Sequence, residues 1–170
     1  MSPDQRSLVM ALVAIPAGRD PLSRDDFLRR WGASDGVALS VDLLRDAVER
    51  FDAEDVELAL VVGFKFGFCD GHLEPLLSLA FADWHQRHED IAMALGKLRS
   101  PSSVGALVHL AQWVPAYLEF DSARALATKA IWALGAIDSE DAHRALVELA
   151  QSSSEIVAAG AKGQLQRSSS

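Results

Sequence analysis

Cysteine is nearly absent from this sequence, and Cys69 is its single example. One thiol excludes an intramolecular disulfide and agrees with a reducing compartment, so we expect Cys69 to be a buried, small apolar residue beside a turn. No apolar run reaches the roughly 20 residues that a membrane helix needs. The apolar residues 8–16 lack the basic flank and the cleavage site of a secretory signal. These absences predict a cytoplasmic protein.

Signatures of catalysis are also few. His109 and His143 have no serine or cysteine nucleophile motif near them. No strand pattern precedes the glycines of residues 63–71, which argues against a phosphate-binding loop. Neighbouring carboxylates such as Asp25 and Asp26 cannot share one helical face and are typical of helix caps. The sequence therefore predicts no catalytic residue, no cofactor and no metal.

Basic residues are outnumbered by acidic ones, and the formal net charge is −8. Residues 1–85 carry 8 basic and 15 acidic side chains, whereas residues 86–170 carry 8 and 9. An acidic surface repels phosphate backbones, so nucleic acid is not an expected partner. The charge favours a protein partner with a basic surface, although it would also serve solubility alone.

Helical periodicity is abundant, and it is clearest in residues 123–150. Two apolar stripes there have spacings of three and four residues. The first consists of Ala127, Ala130, Ile131 and Leu134, and the second of Ala142, Ala145, Leu146 and Leu149. Gly135 closes the first helix. Because two amphipathic helices in antiparallel contact bury only part of each stripe, this helix pair needs neighbours.

A shift of 39 residues aligns this helix pair with an earlier copy. It lays Gly96 on Gly135 and Leu107 on Leu146, with the same 11-residue distance from glycine to leucine in both copies. A third copy around Gly63 needs shifts of 33 and 31 residues, and a terminal half copy needs a shift of 31. Equal internal spacing is typical of a helical repeat.

The repeats predict an all-α fold, an α-solenoid of stacked antiparallel helix pairs with an N-terminal helical extension. The extension spans residues 1–52, the repeats span residues 53–167 and a polar tail spans residues 168–170. We expect these three parts to form one continuous domain.

Three helices are predicted in the extension. They cover residues 8–15, the segment from a Ser23 cap to Trp31, and residues 41–51. Asp52 then caps the helix that opens the repeats.

Two further assignments depend on the repeat register. Phe64, Phe66 and Phe68 alternate as they would in a strand, but the register favours a helix. Trp132 falls within the first helix of the clearest repeat, and we expect it to lie in the core.

Residues 83–90 hold the densest set of chemically active side chains. If a helix covers residues 84–98, then His85, His88 and Glu89 lie on one face at spacings of three and four, as in a metal half-site. The alternative, which we favour, is a solvated helix start that faces a partner.

An aromatic-rich insertion, residues 112–121, separates two repeats. It contains Trp113 and Tyr117. Such a segment covers the core of the repeats or projects as a binding loop.

The repeats carry a recognisable pattern, Ala-Leu-Gly followed by a short polar turn, at residues 94–96 and 133–135. This pattern resembles the short HEAT-like repeats of phycobilin lyases. The resemblance covers about residues 54–166 and implies a fold, with little information on function.

Arg87-His88-Glu89 also looks like the HE motif of deoxyhypusine hydroxylase, an iron enzyme built from similar repeats. That family needs several such pairs, and the matching positions in the neighbouring repeats are Ala127-Thr128 and Asp55-Val56. The remaining iron ligands of that family are therefore missing. A metal-dependent HEAT-repeat enzyme of this type is the alternative interpretation.

The chain is further similar to small bacterial HEAT-like immunity proteins for polymorphic toxins, through residues 52–60, 83–91 and 130–135. This resemblance implies a non-enzymatic protein that neutralises a cognate toxin by stoichiometric binding. The acidic surface would cover a basic surface of the toxin. A general scaffold or adaptor is a third possibility.

The candidate partner-binding residues lie off the repeat stripe or in the insertion. They are Trp84, His85, His88, Glu89, Trp113 and Tyr117.

Overall fold

The computed structural model of the chain describes residues 1–14 and 20–168. Within these ranges the fold is all-α and has no strand, as the periodicity predicts. The last residue of the predicted helix over residues 8–15 and the last two residues of the predicted tail lie outside the described ranges. The helices are α1 Pro3–Ala11, α2 Arg24–Trp31, α3 Gly36–Glu49, α4 Ala53–Phe66, α5 Leu73–Ala80, α6 His88–Leu98, α7 Val104–Gln112, α8 Ala125–Gly135, α9 Glu140–Leu149 and α10 Glu155–Ser168.

Contacts between residues divide the chain into two compact units, Met1–Pro75 and Leu76 onward. In the first unit, α4 packs against α3 and α1, and α1 also packs against α2. A buried apolar cluster holds this unit together and consists of Val9, Leu12, Phe27, Leu58 and Val62. The division of the chain into an extension of residues 1–52 and repeats of residues 53–167 stays a prediction.

A capping box sets the start of the first helix. The Ser2 hydroxyl accepts the Gln5 N–H, and the Gln5 side chain accepts the Ser2 N–H at 2.8 Å. Two backbone donors at the helix start are thereby satisfied. The helix consequently begins at Pro3, and the prediction that it begins at residue 8 is wrong.

Asp35 sets the start of α3 in a similar way. Its carboxylate accepts the N–H groups of Val37 and Ala38, at 2.8 and 3.2 Å. The helix therefore begins at Gly36, earlier than the predicted residue 41. The predicted caps of the two helices on either side, Ser23 and Asp52, are confirmed.

The phenylalanine-rich segment is helical as far as Phe66, as the repeat register predicts. Gly67 then takes φ +116° and ψ 169°, a conformation that essentially only glycine adopts, and the helix ends. Phe68 lies beyond this turn, with its ring edge against Phe64 at 5.1 Å between centroids. Cys69 follows and is exposed, so the expectation of a buried cysteine is wrong.

The second unit contains the helix pair from which the repeats were identified. In this unit α8 packs against α6, α7, α9 and α10, and α7 also contacts α9. All eight residues of the two predicted stripes are buried, so the stripes are confirmed. Gly135 is the last residue of α8, also as predicted.

Two glycines allow close approach between helices of the second unit. A Cβ atom on Gly96 of α6 would lie 2.9 Å from the Cβ atom of Ala133 in α8, and one on Gly135 of α8 would overlap the Gln164 side chain in α10. Gln164 is the residue that the 31-residue shift lays on Ala133. The same approach therefore recurs between α6 and α8 and between α8 and α10.

In the described parts of the chain, no helix combines the length and the apolar character that crossing a bilayer requires.

Candidate functional site

The histidine-rich segment differs from its predicted helix. The helix begins at His88, and residues 84–87 form an irregular turn before it. His85 is 2% exposed and His88 is 0% exposed. The prediction of a helix over residues 84–98 is therefore wrong, and so is the expectation that these two histidines are solvated.

His85 satisfies the end of the preceding helix. Its Nδ1 accepts the Arg87 N–H at 3.0 Å, so its proton lies on Nε2, which donates to the Leu79 carbonyl at 2.9 Å. That carbonyl belongs to the last turn of α5, where backbone acceptors have no partner within the helix. Burial of the ring lowers the pKa of His85, although the Leu79 carbonyl acts against this effect.

His88 uses both of its ring nitrogens inside the protein. Nε2 donates to the Ala82 carbonyl at 2.7 Å, which leaves Nδ1 to accept the Tyr117 hydroxyl at 2.9 Å. Burial lowers the pKa of His88 to about 4, and the neighbouring His85 and His109 lower it further against the effect of the Ala82 carbonyl. The neutral ring is therefore an internal structural group at neutral pH.

Metal binding would need a free lone pair on these rings. Neither ring of the His85–His88 pair offers one, because each acceptor nitrogen already takes a protein donor. Across residues 1–14 and 20–168, no three or more His, Cys, Asp or Glu side chains are grouped so that they could hold a metal ion.

Five of the six predicted partner-binding residues come together in a ring cluster, which we define as Trp84, His85, His88, Trp113 and Tyr117. The imidazoles of His85 and His88 stack with centroids 4.2 Å apart. Trp113 meets His88 edge-on at 4.8 Å, and Trp84 meets His85 edge-on at 5.2 Å. The insertion thus covers the histidines, and burial raises the pKa of Tyr117.

The sixth predicted residue, Glu89, lies beside this cluster at the start of α6. Its carboxylate forms an ion pair with Lys129 of α8, and both side chains are about one-third exposed. The pair links two first helices of the repeats and stands next to an open surface.

That surface is a groove of about 370 Å³ between α6 and α8, which we call the Trp132 groove. Its lining is Met93, Gly96, Lys97, Thr128, Lys129, Trp132, Ala133 and Ala136. The indole of Trp132 is 59% exposed and the side chain of Met93 is 40% exposed. The expectation that Trp132 lies in the core is therefore wrong.

Cations surround the indole in this groove. The guanidinium carbon of Arg167 lies 5.1 Å from the centroid of the Trp132 ring, within the range of a cation–π interaction. Lys97 and Lys129 line the groove, and no described residue of the lining is acidic. The groove combines an apolar floor with a basic edge, in a chain whose net charge is −8.

Sequence reasoning missed this groove, although the signal was present. Trp132 stands five positions after Ala127 in α8. At about 100° per residue it lies roughly 140° from the centre of the buried stripe, on the opposite face of the helix. The 39-residue shift lays Met93 on Trp132, so two large apolar side chains occupy the equivalent exposed position in two repeats.

No protein-family model, no curated protein and no solved structure matches this chain. The resemblance to HEAT-like repeats and to immunity proteins stays a prediction from the sequence.

Proposed function

We propose that this chain is a non-enzymatic protein-binding module, built as a short α-solenoid, that docks a partner through the Trp132 groove. Two independent features support the solenoid. The close approach at Gly96 recurs at Gly135, one repeat later. First helices α6 and α8 contact each other, as do α8 and α10, and the second helices α7 and α9 also contact each other. This is the neighbour relation of stacked helix pairs.

The observation that carries the binding proposal is the exposure of Trp132. Tryptophan buries up to roughly 250 Å², so covering the exposed 59% would remove roughly 150 Å² from water. At about 25 cal/mol per Å² this burial would contribute at most about 4 kcal/mol to a complex. A tryptophan over a groove is the typical centre of an interface hot spot.

Stoichiometric neutralisation of a toxin is the specific form of binding that we favour. It rests on the similarity of residues 52–60, 83–91 and 130–135 to small bacterial immunity proteins. In this proposal the chain is cytoplasmic, carries no cofactor, and acts by covering a surface of the toxin. Neither nucleic acid nor membrane takes part.

Co-expression with the product of the adjacent upstream gene tests this proposal. We expect the chain to rescue growth from a toxic neighbour and to elute with it as a 1:1 complex in size-exclusion chromatography with light scattering. Trp132→Ala should abolish rescue while the circular dichroism spectrum stays unchanged. Phe120→Ala is the matched control, because Phe120 is 91% exposed and lies outside the groove.

Rescue that is equal for the wild type and for Trp132→Ala would refute docking through the groove. A scaffold that joins harmless proteins would form a complex without any effect on growth. Growth rescue without a complex would point to an enzyme instead of a stoichiometric binder.

A further inference from the structure

The Trp132 groove differs in charge from the protein that carries it. Residues 1–85 hold 15 acidic and 8 basic side chains, yet the described lining of the groove holds two lysines and no carboxylate. Arg167 adds a third cation over the indole. A partner chosen by the net charge would be basic, whereas a partner chosen by this groove is acidic.

The two parts of the groove have different roles in recognition. Exposed ion pairs are weak, at about 0.2 to 1 kcal/mol each, so Lys97 and Lys129 set the orientation and the sign of the partner's charge more than the affinity. The apolar floor of Met93, Trp132 and Ala133 supplies the affinity. An occupant must therefore offer an apolar group between negative charges.

The size of the groove limits the occupant further. Its volume of about 370 Å³ is near the lower end of the range of roughly 300–1,000 Å³ found for ligand pockets. It accommodates one or two large side chains of a docking segment. Its openness between two helices suits a peptide that continues past both ends.

We infer that the groove binds an acidic segment of the partner protein, in which a large apolar side chain is flanked by carboxylates. This inference rests on the proposed function and specifies the partner's docking element. The apolar side chain lies on Trp132 and Met93, and the carboxylates lie against Lys97 and Arg167. In this arrangement Lys129 exchanges part of its contact with Glu89 for the partner's carboxylate.

Fluorescence anisotropy with labelled peptides tests the inference. The probe is a short peptide with a central Phe-Leu pair flanked by glutamates, and two matched peptides carry glutamine or lysine in place of every glutamate. We expect the acidic peptide to bind at least ten-fold more tightly than the lysine peptide. Raising the salt concentration should reduce this preference, because exposed charges are screened.

Charge reversal at Lys97 provides the sharper comparison. Lys97→Glu should weaken the acidic peptide about ten-fold and strengthen the lysine peptide. Lys162→Glu changes the net charge equally and is the control, since Lys162 is exposed and lies about 140° around α10 from Arg167. Equal effects of the two substitutions would overturn the inference.

The outcomes separate this inference from the proposed function. If all three peptides bind equally and Trp132→Ala abolishes them all, the groove is a docking site but its partner is not acidic. If the acidic peptide does not bind, the inference is overturned, and growth rescue still tests the proposed function. Displacement of the acidic peptide by decanoate at lower concentration would assign the groove to an anionic amphiphile. Dimerisation of the wild type that Trp132→Ala abolishes would assign it to a second copy of the chain.

Discussion

Acidification is expected to destabilise the second unit through His88. The folded protein holds this imidazole neutral with a pKa of about 4, below the ordinary value of 6.5. A histidine whose pKa is lowered by folding contributes its full stability above pH 6.5 and loses it as the pH falls towards 4. At pH 5 the unfolded chain binds nearly one more proton at this site. The resulting loss of unfolding free energy is about 2 kcal/mol relative to pH 7.5.

Urea unfolding at pH 7.5 and pH 5.0 measures this loss. Carboxylates contribute little to the difference, because the pKa values of Asp26, Asp46 and Asp52 are lowered from 3.8 by hydrogen bonds and arginines and these groups stay ionised at pH 5. His88→Gln should be less stable at pH 7.5 and should lose about 2 kcal/mol of the pH dependence. His143→Gln is the control, because His143 is exposed.

Two outcomes would refute this reasoning. One is a His88→Gln variant that retains the whole pH dependence of the wild type. The other is an NMR titration in which His88 of the folded protein protonates near pH 6.5. Burial of His85 and His72 also lowers the pKa of each, so the wild-type loss should exceed the part that His88 supplies.

Two further substitutions test the packing of the second unit. Gly96→Ala should destabilise the protein by about 1–3 kcal/mol, because the new methyl group would press on Ala133. The same change at Gly163, where a Cβ meets nothing within 4 Å, should stabilise it by roughly 0.5–1 kcal/mol through helix propensity; equal thermal shifts would contradict the packing. Tyr117→Phe should cost about 1–3 kcal/mol in urea unfolding, because it leaves Nδ1 of buried His88 without a donor. An unchanged unfolding midpoint would argue against that hydrogen bond.

Much of the second unit could be predicted from periodicity and repeat spacing. The buried stripe of α8 and its end at Gly135 agree with the sequence pattern. The caps at Ser23 and Asp52 were also predictable, because a short polar side chain before an apolar run satisfies local backbone donors. These features depend on residues that are close in sequence.

The role of the histidines could not be predicted from the same information. Spacing alone suggested an exposed face, yet His85 and His88 donate to the carbonyls of Leu79 and Ala82. Which carbonyls lack a helical partner depends on where α5 ends and how the chain returns. The cover that Tyr117 provides depends on a contact between residues 29 positions apart.

The exposure of Trp132 was predictable but was missed, because its size suggested the core. Its angle from the stripe of α8 placed it on the opposite face. The burial of Phe51 was overestimated for a similar reason. It was assigned to helix α3 by its spacing, but the helix ends at Glu49 and Phe51 is 71% exposed beyond it.

Calorimetric titration of the chain with the product of the adjacent upstream gene tests the central claim most directly. The wild type and Phe120→Ala should bind it 1:1 with the same affinity, and Trp132→Ala should bind at least about 30-fold more weakly, as truncation of a hot spot of 2 kcal/mol predicts. The same affinity for all three proteins, or no binding by the wild type, would contradict a docking site at the Trp132 groove.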